Sequence, residues 1–277
     1  MFNTGAVCRQ ARTPTLPENL EREIFEIAAE SSQSCAAKLT QVAKRVNLWI
    51  TPILCRVITL DRMQTCTYAA LFRFKGHHVQ EIYSTVRTTI LPCIHRFPNI
   101  GVLVLYGIYV DADTIKKLTE LPVLKELWFK IRCPPDDFTP NFIFLALTHL
   151  GLFADSIHLP AFSSNCFPNL THILIDELPP PNPLILSLLD TCLRLKVLLV
   201  TAPVYDETDS GLTEYYWPDI RDRGMYAIER RFSRQDYRIV EFELDLEHEV
   251  LGKSLGLLWA KAEGIIDFRR QIDQFNA

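Results

Sequence analysis

Several features are missing from this sequence of 277 residues, and each absence narrows what the chain does. Its eight cysteines stand singly at 8, 35, 55, 66, 93, 133, 166 and 192, with no C-x-x-C pair. Such spacing points to neither a zinc site nor a disulfide framework, and it suits a reducing compartment. No long basic run is present and the net charge is −4, which argues against a nucleic-acid partner. The first residues lack the apolar core of a signal peptide. The most apolar window, residues 142–154, is broken by Thr148 and His149 and is too short to cross a bilayer. A cytoplasmic or nuclear protein without membrane contact is therefore expected. G-x-S-x-G, Walker, G-x-G-x-x-G and H-E-x-x-H motifs are all absent. His248, flanked by Glu247 and Glu249, reads as a charged strand end with no identifiable nucleophile. Neither an enzyme nor a metal or cofactor is expected.

What is present is an ordinary folded composition, 48% apolar and 22% charged, and one apolar phrase that returns five times. It runs Ile100-x-x-Leu103-x-Leu105, Leu124-x-x-Leu127-x-Phe129, Leu147-x-x-Leu150-x-Leu152, Leu170-x-x-Ile173-x-Ile175 and Leu195-x-x-Leu198-x-Val200. The steps between first positions are 24, 23, 23 and 25 residues. Phe97-Pro98-Asn99, Leu121-Pro122-Val123 and Phe167-Pro168-Asn169 lead into three of them. A constant step of this size marks a leucine-rich-repeat solenoid, in which each unit adds one parallel strand. In a strand the fourth and sixth positions share a face, so stacked units bury them as one core.

Fainter phrases are expected at Leu54-x-x-Val57, at Val79-x-x-Ile82 and at Ile239-x-x-Phe242-x-Leu244, although residues 79–94 look more helical than extended. Asp111 or Asp113 should cap a short helix running through Lys116 to Leu121, and Asn182-Pro183 another. A last helix over residues 255–275 carries Leu258, Trp259, Ala262, Ile265, Ile266 and Ile272 and is expected to seal the far end. Tyr215, Tyr216 and Trp217 form an aromatic cluster suited to a partner or to loop packing.

Positions three, five and seven of each phrase fall on the other strand face. They give Tyr106, Glu126, Trp128, Lys130, His149, Phe153, His172, Leu174 and Asp176, an apolar and aromatic set with few charges. Such a face either recruits a protein partner or is covered by the C-terminal segment folding back. A partner site is expected here. His149 and His172 hold equivalent positions one unit apart, about 5 Å from each other.

Before the phrases lie two short apolar patterns at helical spacing. The first has Leu20, Ile24, Ile27 and Ala28, with Thr15 as its cap; the second, over residues 36–46, has Leu39, Val42, Ala43 and Val46. The chain should bend at Pro52. Leu16, Pro17, Leu20, Ile24 and Phe25, then Val42, Lys44, Arg45 and Trp49, resemble the F-box. Asn19, the polar residues 31–34 and the late Trp49 depart from its usual pattern. The sequence as a whole resembles fungal F-box-like proteins with degenerate leucine-rich repeats. That resemblance implies docking of Leu16, Pro17, Leu20, Ile24, Phe25, Val42 and Trp49 on a Skp-type adaptor of a cullin ligase. It also implies recruitment of a protein substrate. A helical pattern of this kind equally serves as a cap on a solenoid.

The expected architecture is α/β. An F-box-like helical module spans residues 14–60, and a leucine-rich-repeat-like solenoid with a parallel sheet and C-terminal capping helix spans 61–277. The expected function is substrate recognition for a Skp–cullin–F-box ubiquitin ligase, with a ligase-independent interaction scaffold as the alternative.

Overall fold

The computed structural model describes residues 16–60, 76–84, 91–131, 142–153, 164–176, 189–201, 238–242 and 255–276. The chain divides into two compact units, Met1–Arg56 and Val57–Ala277. The boundary sits a few residues earlier than the sequence suggests, because residues 57–60 pair with the sheet of the second unit.

The first unit holds three helices: α1 (Glu18–Ser31), α2 (Gln33–Leu39) and α3 (Lys44–Leu54). Pro17 stands at the N-cap of α1, where its missing N–H costs nothing, and Glu18 and Glu21 oppose the positive end of the helix. Ser32 separates α1 from α2, and its hydroxyl accepts from the Cys35 N–H at 3.1 Å. The single helix expected over residues 36–46 is in fact two. The Asn47 amide donates to the Thr40 carbonyl at 3.0 Å, closing α2, and Ala43 turns extended before α3 begins. Pro52 does not end the helix but lies inside the last turn of α3. Ala29, Ala36, Val46 and Ile50 form the core, with Phe25, Leu39, Trp49 and Ile53 packed against it.

The second unit is built on one all-parallel sheet whose eight strands lie in chain order. They are β1 (Val57–Leu60), β2 (Glu81–Ser84), β3 (Val102–Val110), β4 (Glu126–Ile131), β5 (His149–Phe153), β6 (His172–Asp176), β7 (Val197–Thr201) and β8 (Ile239–Phe242). Each of the five phrases supplies one strand, and the pairing keeps their positions aligned: Leu103, Leu127, Leu150, Ile173 and Leu198 face one another along the ladder. Two hydrogen bonds repeat from unit to unit. The first-position N–H closes a turn onto a carbonyl three residues back, as in Ile100 to Phe97 (3.2 Å), Leu170 to Phe167 (3.2 Å) and Leu195 to Cys192 (2.9 Å). The second-position carbonyl then takes two N–H groups from the next unit, as Lys125 does from Thr148 (2.8 Å) and His149 (3.0 Å). These bonds hold the register independently of the side chains.

Three expectations need correction. Ile58, not Val57, pairs with Ile82, so the first phrase begins at Cys55 rather than Leu54. Ile239 pairs with Leu198 and takes the fourth position rather than the first. Residues 81–84, expected to be helical, form β2, with a 3₁₀ turn at Leu91–Arg96 following. A helix α4 (Ala112–Thr119) is capped by Asp111, whose carboxylate accepts from the Thr114 N–H at 2.8 Å and is thereby held below the usual carboxylate range. Asn182-Pro183, Tyr215, Tyr216, Trp217, Leu244 and His248 lie outside the described residues.

The sheet is covered on both sides. One core takes the fourth and sixth positions with the lead-in residues Phe97, Phe144 and Phe167, the last two stacked at 5.5 Å. The other lies under the C-terminal helix α5 (Leu255–Asn276), whose Leu255, Leu258, Trp259, Ala262 and Ile266 pack on positions three and five of the strands. This helix therefore does not seal the far end of the sheet. Trp259 reaches β4, and ten residues later the Arg269 guanidinium donates to the Ile239 carbonyl on β8. The rise of about 15 Å over those residues nearly matches the roughly 19 Å across four strand spacings, so α5 crosses the strands.

Candidate functional site

Two places bring together the residues singled out in the sequence. In the sheet unit they meet beneath α5. Trp128, Phe153, His172 and Leu174 are buried, and Tyr106 is half-buried with its ring edge-on to Phe153 at 5.1 Å. Lys130 and Asp176 occupy the seventh position of β4 and β6, with side chains outside those described. The face expected to receive a partner is thus occupied by the chain's own helix. The expectation of an open strand face is overturned, and the physical reason is its area of apolar and aromatic side chains, which α5 removes from water.

The middle of this buried layer is polar. The Glu126 carboxylate accepts from two indoles, Trp128 Nε1 at 2.8 Å and Trp259 Nε1 at 3.0 Å. Burial raises its pKa, and the two indole bonds partly offset that shift. Beside it the imidazoles of His149 and His172 stack at 4.3 Å, 11° from parallel, and Trp259 lies 5.4 Å from each. Each ring meets the hydroxyl of the preceding threonine through Nδ1 at 2.8 Å, and His172 Nε2 meets Glu263 Oε1 at 3.1 Å. Burial first, then the neighbouring His149, pushes His172 down to about 4, against the pull of Glu263. Burial lowers His149 as well. Both rings are neutral near pH 7; His172 turns Nε2 to the Glu263 carboxylate and Nδ1 to the Thr171 hydroxyl, which itself donates to the Thr148 carbonyl at 3.0 Å. Tyr83 donates to Glu81 at 3.1 Å, and its burial beside that charge raises its pKa. The arrangement fixes the docking angle of α5. Reaching it with a substrate would require lifting that helix. Among the described residues, no group of three or more His, Cys, Asp or Glu is placed to hold a metal ion.

The second place is the outer side of α1. With 100° per residue, Phe25, Ala28 and Ala29 fall within an arc of about 100° that faces the unit's core, whereas Leu20, Ile24 and Ile27 share a separate arc of about 60°. That second stripe is open: with Leu16 its members are 44% to 64% exposed. Pro17, Val42 and Leu48 are exposed as well. The resemblance-derived residues therefore divide. Leu16, Pro17, Leu20, Ile24 and Val42 are available at the surface, while Phe25 and Trp49 pack into the helical unit itself. Ile27 and Leu48, outside the set the resemblance implies, are exposed as well, and Ile27 sits in register with Leu20 and Ile24.

Among the described residues, no helix is long and apolar enough to cross a membrane. Comparison with protein-family models and with curated protein sequences gives no match.

Proposed function

We propose that the chain is a substrate-recognition adaptor of a Skp–cullin–F-box ubiquitin ligase, with its helical unit as an F-box-like module and its sheet unit as a leucine-rich-repeat-like solenoid. The observation that carries this reading is the open stripe of Leu16, Leu20, Ile24 and Ile27 on a helix whose neighbouring face already serves its own core. An amphipathic helix in a small domain needs one apolar face. A second one, left in water, favours a docking surface for another protein. In the F-box resemblance Leu16, Leu20 and Ile24 of this stripe meet the Skp adaptor, and Ile27 extends it. The chain then supplies proximity, holding a substrate near the ligase machinery, and no catalytic residue of its own.

The solenoid reading is supported by the step of 23 to 25 residues and by one strand per phrase. The strand face itself does not recruit the substrate, since α5 covers it. Co-purification with a Skp-type adaptor tests the proposal, using Ile24→Asp as the disrupting variant. Ile24 is exposed, so the charge should leave the fold intact, whereas Phe25→Asp would place a carboxylate against the core. Loss of binding in a folded Ile24→Asp protein supports the adaptor reading. Absence of binding by the parent chain leaves a ligase-independent scaffold.

A further inference from the structure

The turns that lead into the strands form a second periodic surface. Two residues before each phrase stand Pro98, Pro122, Leu145, Pro168 and Leu193, and all five are exposed. The prolines suit the turn, which favours a fixed φ at its first corner. Leu145 and Leu193 have no such reason, yet they are 70% and 89% exposed. Turn positions are ordinarily polar, and here Ile143 and Val123 add further exposed apolar surface beside them. The polar groups of the same turns are directed inward along the ladder instead: the Asn99 amide donates to the His77 carbonyl and the Asn169 amide to the Leu145 carbonyl, each at 2.7 Å. Because successive turns follow the strand spacing, the five residues make a ridge about 19 Å long.

Charge identifies what fits it. Arg96, Lys125, Arg194 and Lys196 are exposed along the ridge, with Glu120 as the one acid among the described residues at these turn positions. This edge is thus cationic in a chain whose net charge is −4. Between the last two turns a cleft of about 180 Å³ is walled by Phe167, Pro168, Leu170, Leu193 and Arg194, room for one apolar side chain beside a guanidinium. The ridge is one side chain wide, a strip on the order of 200 Å², against the ~800 Å² per partner of a standard stable interface. A second copy of the chain is therefore a poor occupant, and a short extended segment a good one.

We propose that this ridge of lead-in turns binds a short acidic segment of a partner protein, about six residues long, in which Leu, Phe or Met stand beside Asp or Glu. Its apolar side chains lie on Leu145, Leu193 and the cleft, and its carboxylates pair with Lys125, Arg194 and Lys196. The inference rests on the turn geometry and not on the ligase reading. An acidic partner also gains from electrostatic steering, so its affinity falls as salt rises.

The test is a selection from a displayed random-peptide library on the full chain, followed by titration of the enriched peptides onto the parent protein, Leu145→Ser/Leu193→Ser and Lys125→Glu/Arg194→Glu. The expected result is enrichment of acidic, apolar peptides that lose about tenfold or more in affinity for either variant. Both variants should keep the parental melting temperature, and their adaptor binding should equal that of the parent. Enrichment of basic or uncharged peptides, peptides indifferent to both variants, or no enrichment at all would overturn the proposal. Self-association in sedimentation that disappears in Leu145→Ser/Leu193→Ser would assign the ridge to a second copy instead.

Discussion

A single methyl group tests the packing beneath α5. Gly151 sits in β5 directly opposite Trp128, and the indole lies over it. A Cβ at this position would fall 2.3 Å from Trp128 Cδ2 and Cε3 and 2.8 Å from Cγ. Carbon atoms pack at about 3.5–4.0 Å, so the ring must withdraw by more than about 1 Å in Gly151→Ala. Withdrawal is obstructed on every side. Trp128 is fully buried, its Nε1 is tied to Glu126 at 2.8 Å, and the rings of Phe153 and Trp259 stand 6.0 and 5.7 Å away. Overpacking of this kind costs about 1–3 kcal/mol. The smaller entropy of the unfolded alanine chain returns about 0.4–1 kcal/mol. The net loss is therefore about 1.3 kcal/mol at mid-range and at most about 2.6 kcal/mol, and the mid-range value is a fall in melting temperature of about 3–5 °C for a unit of this size. Thermal melts read by near-UV circular dichroism follow the packing of the aromatic rings, with Trp128 and Trp259 two of the chain's four tryptophans. Repeating the change in a Trp128→Leu background should abolish the penalty, since the clash is pairwise. A Gly151→Ala protein that melts at or above the parent, with an unaltered indole signal, would refute the packing described here.

The same substitution should have the opposite sign at Gly264, inside α5, where an added Cβ meets nothing within 4 Å. Gly264→Ala is expected to raise stability by about 1 kcal/mol, seen as a higher melting temperature. Acid should loosen the α5 layer. His172 is held neutral with its pKa down at about 4, while the unfolded chain takes up a proton near 6.5. Its stabilising contribution is complete above pH 6.5 and declines as pH falls toward 4, at up to about 1.4 kcal/mol per unit. The groups facing it are His149, Lys196, Glu126 and Glu263. Of these, Glu126 has the opposite sign, because its raised pKa makes the folded state bind its proton more readily than the unfolded chain does. Denaturant titrations between pH 7 and pH 5 should show the slope, and His172→Gln should flatten it.

How much of this was legible in the sequence depends on the element. The five phrases carried their own register, because a β-strand fixes which positions share a face and the step length fixes the neighbours. At the sheet edges the same reasoning slipped. Leu54, Cys55, Val57 and Ile58 are all apolar, so two alternations fit equally well, and pairing with Ile82 selects the second. Ile239 and Phe242 mimic the first and fourth positions, but β8 uses them as fourth and seventh. The covering of the strand face has its own signal in the sequence. Val197-Leu198-Leu199-Val200 and Val102-Leu103-Val104-Leu105 are continuous apolar runs, as strands covered on both sides require, whereas a half-open sheet alternates with polar residues. The polar cluster was reachable only in part. The adjacency of His149 and His172 followed from register, but the approach of Trp259 and Glu263 depends on where a distant helix settles. In the helical unit, spacing alone did not tell Ile27 from Ala28, since both lie near apolar arcs and only packing decides which arc faces inward.

The central claim rests on the open stripe of α1, and the most direct measurement is calorimetric titration of a purified Skp-type adaptor onto the intact chain, beside Leu20→Asp and Ile24→Asp. Buried apolar anchors of an interface commonly contribute 2 kcal/mol or more, so each variant should weaken binding by about 30-fold or more while the circular dichroism of the chain is unchanged. Saturable binding by the parent that both variants lose is the result the account predicts. No heat of binding from a folded parent chain, or equal affinity in parent and variants, would contradict it.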